Sequence, residues 1–122
     1  MSLKNFPPEV QEKIKRMQSL QNQLQTINSQ IELLQSKTNE NKNTLKELSS
    51  VTDDVKLYKT VGQIMFSSTS TEVKKELEEN LELAELNLER LKKHKEKMEN
   101  ELKEVNTYLN QVVASQQNFS PS

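Results

Sequence analysis

Three stretches of this chain carry side chains of types that do chemistry elsewhere. Asp53-Asp54 places two carboxylates side by side, the groups used for general acid–base work. Lys92, Lys93, Lys95 and Lys97 crowd around His94, the only histidine. A basic run could follow phosphates, and an imidazole could ligate a metal. The third stretch, LYKTVGQIMF from Leu57 to Phe66, gathers Leu, Tyr, Val, Ile, Met and Phe around Gly62, the only glycine. Its chemistry is that of apolar surface.

The first two stretches do not mature into sites. Asp53-Asp54 lies in SSVTDD, beside neither a histidine nor an apolar pocket, and such residues stop helices by offering the backbone local hydrogen bonds. The lysines interleave with Glu89, Glu96 and Glu99, so a solvated helix face accounts for them. With no cysteine and one histidine, the common His/Cys metal sites cannot be built, and disulfide and thiolate chemistry are excluded. No phosphate loop or nucleophile triad is present. The sequence therefore predicts no enzyme and no cofactor. Charge is balanced, 17 Lys+Arg against 18 Asp+Glu, which gives no global attraction to nucleic acid or an anionic membrane. The N-terminal MSLKNFPPEV has no apolar core of a signal peptide, and no long uncharged apolar run follows. A soluble, cytoplasmic protein is expected.

What must position these residues is written in the period of the apolar ones. Only 32% of the chain is hydrophobic and 4% aromatic, too little for an ordinary compact core and suited either to disorder or to a coiled coil. Periodicity decides. Val10, Met17, Leu24, Ile31, Thr38 and Leu45 form one seven-residue row, and Lys13, Leu20, Ile27, Leu34, Asn41 and Leu48 the other. Nine of these twelve are apolar, the seam of a coiled coil. The rows resume as Leu77, Ala84, Leu91, Met98, Val105 and Val112 beside Leu81, Leu88, Lys95, Leu102 and Leu109. Pro7-Pro8 suits a helix start, where a missing N–H costs nothing. Thr69 with Glu72 fits a capping box. A single domain over 1–122 is predicted: helix 7–49, hairpin 55–67, helix 71–115 and a flexible tail 116–122. Helices of about 40–45 residues would each be about 60 Å long. Folded back antiparallel, they set Leu45 near Leu77 and Val10 near Val112. Thr38, Asn41 and Lys95 interrupt the seams and are expected to set register.

Between the helices the period changes to two. Val55, Leu57, Val61, Ile64 and Phe66 share one face of a strand pair, and Tyr58, Thr60 and Met65 the other. Gly62 supplies positive φ for a turn at Gly62-Gln63. A lone hairpin is marginal in water, and this one has apolar residues on both faces and two open edges. Pairing with hairpins of other chains, closing a larger sheet or barrel, is the simplest remedy. The expected fold is mainly α: a long antiparallel two-helix coiled coil joined by a single β-hairpin that contributes to an oligomeric β-barrel. Val55, Leu57, Tyr58, Val61, Gly62, Ile64, Met65 and Phe66 are the oligomerisation residues.

The PPEVQ start, the heptads, Tyr58-Lys59-Thr60-Val61-Gly62 followed by Ile64-Met65-Phe66, a polar cap and renewed heptads resemble the β class of the prefoldin (GimC) subunit family, archaeal or eukaryotic. One hairpin's worth of strand sequence points to the β class. The resemblance covers Pro7 to about Gln111. It implies a hetero-hexamer of two α-class and four β-class subunits, whose hairpins form a double β-barrel with six coiled coils hanging from it. It implies an ATP-independent chaperone that captures unfolded proteins and delivers them to a group II chaperonin. Family clients bind at the free ends of the coiled coils. Here those ends carry Leu3, Phe6, Val10 and Ile14, and Leu109, Val112, Val113 and Phe119. Ile14 and Val113 lie just outside the seam rows, where two helices would not fully bury them. The alternative from the residues alone is a structural coiled-coil adaptor that oligomerises through its hairpin.

Overall fold

The computed structural model describes residues 6–118, with side chains through 115. Along the chain run helix α1 (Pro8–Leu48), strand β1 (Leu57–Val61), strand β2 (Ile64–Ser68) and helix α2 (Ser70–Asn118). The chain packs as two compact units: Met1–Gln30 with Leu91–Ser122, and Ile31–Arg90.

The helix ends are fixed by local hydrogen bonding. At the start of α1 the Gln11 N–H donates to the Pro7 carbonyl at 3.1 Å, and the Gln11 side chain donates to the Phe6 carbonyl at 2.8 Å. At its close, the Ser49 and Ser50 hydroxyls donate to the carbonyls of Lys46 and Glu47, the local competition by which serine ends a helix. Thr69 caps α2, its hydroxyl accepting the Glu72 N–H at 3.2 Å. The Glu72 carboxylate accepts from the Ser68 hydroxyl, so Glu72 reaches one residue further back than a reciprocal capping box would take it. Helix α2 runs on through Asn118, past the start of the sequence-predicted tail: residues 116–118 contain no Pro or Gly to stop it. Residues 119–122, the rest of that tail, lie outside the described residues.

In the first unit, Val10, Leu20, Ile27, Met98 and Val105 are buried, Leu20 completely. All five come from the predicted rows, and the remaining row residues there are half-buried. The helices are antiparallel: Lys13 lies over Tyr108, while Arg16, further along α1, meets Glu101, earlier on α2. Residues seven apart share a helix face, so Glu9 and Arg16 on α1 and Glu101 and Tyr108 on α2 line one flank of the seam.

The second unit contains the later part of α1, the hairpin and the start of α2. Ile31 and Leu88 are its buried apolar residues, joined by Thr38 and Ser70. Lys42 pairs with Glu85 across the helices at 3.5 Å. Asp53 accepts hydrogen bonds from Ser70 at 3.1 Å and Thr71 at 3.4 Å, tying the loop after α1 to the first turn of α2. The strands pair antiparallel with Leu57 opposite Ser68, Lys59 opposite Phe66 and Val61 opposite Ile64. Gly62 has φ 61°, and no other residue among those described has positive φ. Positive φ at the first turn residue followed by a negative one is the two-residue type II′ loop. Opposed residues share a face. Leu57, Val61, Ile64 and Phe66 therefore lie together, with Lys59, and Tyr58, Thr60 and Met65 lie on the reverse, as the alternation predicts.

Candidate functional site: the hairpin and the helix ends

The hairpin presents Tyr58, Val61, Ile64, Met65 and Phe66 to solvent, each 52–65% exposed. Two facts of sequence cause this. Both faces carry large apolar side chains, and a two-stranded ribbon has only one body of protein to lean on. Leu57 is half-buried at the base, and Val55, in the loop before β1, is 45% exposed. Gly62 is exposed in the turn, and a Cβ there would meet nothing within 4 Å. Its requirement is therefore conformational, not steric. Lys59 interrupts the apolar face and reaches Glu76 of α2 in an ion pair, pinning β1 to the helix. Beside it runs a groove of about 380 Å³, with Leu48, Leu57, Val73 and Leu77 among its lining. Sequence reasoning did not assign Lys59 a role. Its one signal was a cation on an otherwise apolar strand face.

The helix ends of the first unit are more closed than their sequence suggests. Val10, counted above among the client-facing residues, is only 4% exposed. It belongs to a seam row, and burial by the facing helix outweighs its place near the chain end. Phe6, Ile14, Leu109 and Val112 are half-buried, and Val113 is 45% exposed. Leu3 and Phe119 lie outside the described residues.

A charged cluster lies along the flank of these ends. Arg16 donates twice to Glu101, Nε to Oε1 at 2.7 Å and Nη2 to Oε2 at 2.9 Å, the two-pronged geometry a planar guanidinium favours. This hydrogen bonding, with the charges of Arg16 and Lys13, holds the Glu101 carboxyl below its ordinary pKa. The Lys13 ammonium stands 5.8 Å from the centre of the Tyr108 ring. Burial, then the neighbouring charge and hydrogen bond of Glu9, pushes the Tyr108 phenol up. Sequence reasoning missed this cluster. Its trace was the charged spacing 9, 13 and 16 facing 101 and 108.

The two sequence stretches set aside as non-catalytic have plain surroundings. Asp54 is held below its ordinary pKa by hydrogen bonds from the Thr52 side chain and its own backbone N–H. His94 is exposed and edges a shallow groove with Asn22, Gln23, Ile27 and Leu91. Among the described residues no three His, Cys, Asp or Glu side chains gather as metal ligands. No helix among them is long and apolar enough to cross a membrane.

Heptad helices packed antiparallel, with a β-hairpin at their connection, define a coiled-coil protein with five exposed large apolar side chains on its strand pair. Comparison with known proteins makes this specific. Residues 11–116 match the family model described as prefoldin subunit. The chain is 35% identical over 103 residues to the prefoldin subunit beta of Pyrococcus furiosus, covering 84% of this chain and 88% of that protein. It is 31% identical over 111 residues to that of Archaeoglobus fulgidus, covering 91% and 96%. The crystal structure of the prefoldin beta subunit from Thermococcus strain KS-1 superposes with a TM-score of 0.78 at 32% identity, covering 97% of this chain and 98% of that one. The chain belongs to the prefoldin subunit family, on its β side. Its function is accordingly that of a chaperone component in protein folding.

Proposed function

We propose that this chain is one of four β-class subunits in a hetero-hexamer with two α-class subunits, acting in the cytoplasm as an ATP-independent holdase. Its hairpin closes a shared β-barrel with the hairpins of its partners. Its helix ends capture unfolded proteins, and the assembly delivers them to a group II chaperonin. The observation that carries this reading is the hairpin, where five large apolar side chains are each more than half exposed. Large apolar side chains exposed on both faces of a lone strand pair call for covering partners.

The helix ends suit a holding function because their contacts are apolar and read no sequence. Burying about 400 Å² of apolar surface at one end would contribute about 10 kcal/mol gross at ~25 cal/mol/Å². Ordering costs offset much of it, so each end binds weakly. Several ends on one body raise the effective concentration and make capture firm yet reversible. Native mass spectrometry of the chain mixed with an α-class subunit tests assembly, the expected result being a discrete six-chain complex. A persistent lone monomer would sink the proposal. The complex should suppress aggregation of a denatured protein without ATP. Truncation before Val10 and after Asn110 should abolish that suppression while leaving the hexamer intact.

A further inference from the structure

The seam of the first unit loses its apolar continuity toward the helix ends. Leu20 and Val105 are well buried and Met17 is half-buried, but the next seam position outward from Met17 on α1 is Lys13, a cation that leans out over Tyr108. Val10, buried again, lies beyond it. The last apolar turn is thus separated from the main seam by a lysine. What links the two helices there is polar: the double contact of Arg16 with Glu101, Lys13 over Tyr108, and Glu9 with Tyr108.

These groups are confined to one flank. At about 100° per residue, Glu9 and Arg16 lie on one side of the Val10–Met17 row, and Ile14 on the other. On α2, Glu101 and Tyr108 lie on one side of the Val105–Val112 row, and Val113 on the other. Ile14 is half-buried and Val113 is 45% exposed. One flank of the helix ends is therefore charged and paired, the other apolar and open.

We infer that Glu9, Lys13, Arg16, Glu101 and Tyr108 form an ionic clasp that keeps the helix ends shut over Val10, so that an unfolded apolar segment gains Val10, Leu109 and Val112 only when the clasp yields. This inference rests on the helix ends being the client site. The clasp sets a threshold on capture: Val113 is available at rest, and the buried apolar layer is released by opening. Its strength is that of exposed ion pairs, which salt screens over about 10 Å at 0.1 M.

The test uses the assembled complex carrying wild type, Arg16→Gln, Glu101→Gln, or the swapped pair Arg16→Glu with Glu101→Arg. Hydrogen exchange of amides 9–17 and 101–113 is measured beside affinity for a denatured, uncharged model polypeptide. Each single variant should exchange about threefold faster at these amides and bind about threefold tighter, within the range expected of an exposed pair. The swap should return both toward wild type. In wild type, raising NaCl from about 0.05 M to about 0.5 M should strengthen capture by a similar factor. In Glu101→Gln the salt response should be much flatter.

Unchanged exchange in the single variants would overturn the clasp. So would faster exchange without tighter capture, or weaker capture from an intact complex. A truncation lacking residues before Lys15 and after Tyr108, which removes Val10, Ile14, Leu109, Val112 and Val113, separates the two readings. If it still captures polypeptide, the client site lies elsewhere and the gating role falls with it. If it does not, the variant series alone decides.

Discussion

The two units of this chain use one heptad pattern to opposite ends. In Met1–Gln30 with Leu91–Ser122, five row residues are buried apolar side chains and a charged cluster lies along one flank. In Ile31–Arg90 the buried apolar residues are Ile31 and Leu88, and the seam admits the buried hydroxyl of Thr38. There five large apolar side chains stand open on the hairpin, beside Leu33, Leu83 and Leu86 exposed on the helices. The first unit covers most of its apolar surface, Val113 excepted, and the second leaves the apolar side chains of its hairpin open. A periodic pattern thus guarantees a helix pair but not where the uncovered surface lies. That is decided where the period breaks.

The sharpest way to break the comparison is to remove the open surface. Changing Ile64 and Phe66 together to Asp puts two charges on one face, since Val61 opposes Ile64 and Lys59 opposes Phe66 in the ladder. Burying two carboxylates on that face of a shared sheet would be prohibitive, because the cation there, Lys59, is already engaged by Glu76. Native mass spectrometry should show the six-chain complex replaced by smaller species, while circular dichroism keeps most of the helical signal because the heptad rows are untouched. A hexamer formed normally would mean that the exposed strands are not what holds subunits together.

A second change acts on the closed unit. Leu20 is fully buried, and Leu20→Ala should cost about 2–5 kcal/mol. Thermal unfolding at fixed subunit concentration should reveal it as a lowered midpoint with assembly at low temperature retained. The same unit resists prediction in one respect. Val10 could be read both as a seam residue, by its period, and as a free apolar residue, by its place near the chain end.

Much of the fold was legible because its causes are local. Seven-residue rows specify a helix face, and Gly62 between alternating apolar residues specifies a turn, whatever the rest of the chain does. The long helices, the single hairpin and the two strand faces follow from these. The contacts that lock the pieces together were not legible. Lys59 with Glu76 and Asp53 with Ser70 each join residues 17 apart in sequence, and Arg16 with Glu101 joins residues 85 apart. Each charged residue has many carboxylates or cations as formal candidates in a chain so rich in both. Only the packed geometry selects one.

Thr38 gives a smaller and opposite effect. It is 4% exposed, and its hydroxyl has no hydrogen-bond partner. A buried, unsatisfied hydroxyl costs about 1–3 kcal/mol. Thr38→Val keeps the branched shape and replaces the hydroxyl by a methyl group, so it should stabilise the second unit by about 1 kcal/mol. Slower hydrogen exchange around residues 34–42 would register the gain. Faster exchange there would show that the hydroxyl is satisfied in solution, and the contrast between the two seams would shrink.

The finest distinction between the units is one of pH. Glu101 of the first unit has its carboxyl pKa lowered, chiefly by the hydrogen bonds from Arg16. A depressed carboxyl pKa in the folded state means that protonation disfavours the fold. The stabilisation from Glu101 is therefore complete above the ordinary glutamate pKa of about 4.3. It is lost as pH falls from there through the lower, folded value. Arg16 remains charged throughout, so the loss comes from the carboxyl alone. Other carboxylates titrate in the same range, and Glu101→Gln serves as the reference that cancels them. Hydrogen exchange near Arg16 should be slower in wild type than in Glu101→Gln at pH 6, and the two should converge as pH falls below the ordinary glutamate range and through the lowered folded value. Amides near Lys42 and Glu85, which pair in the second unit away from the substitution, should show no difference between the two proteins at either pH. A difference persisting at low pH would mean that the glutamine perturbs packing rather than charge, and the first unit would then owe its closure to its apolar seam alone.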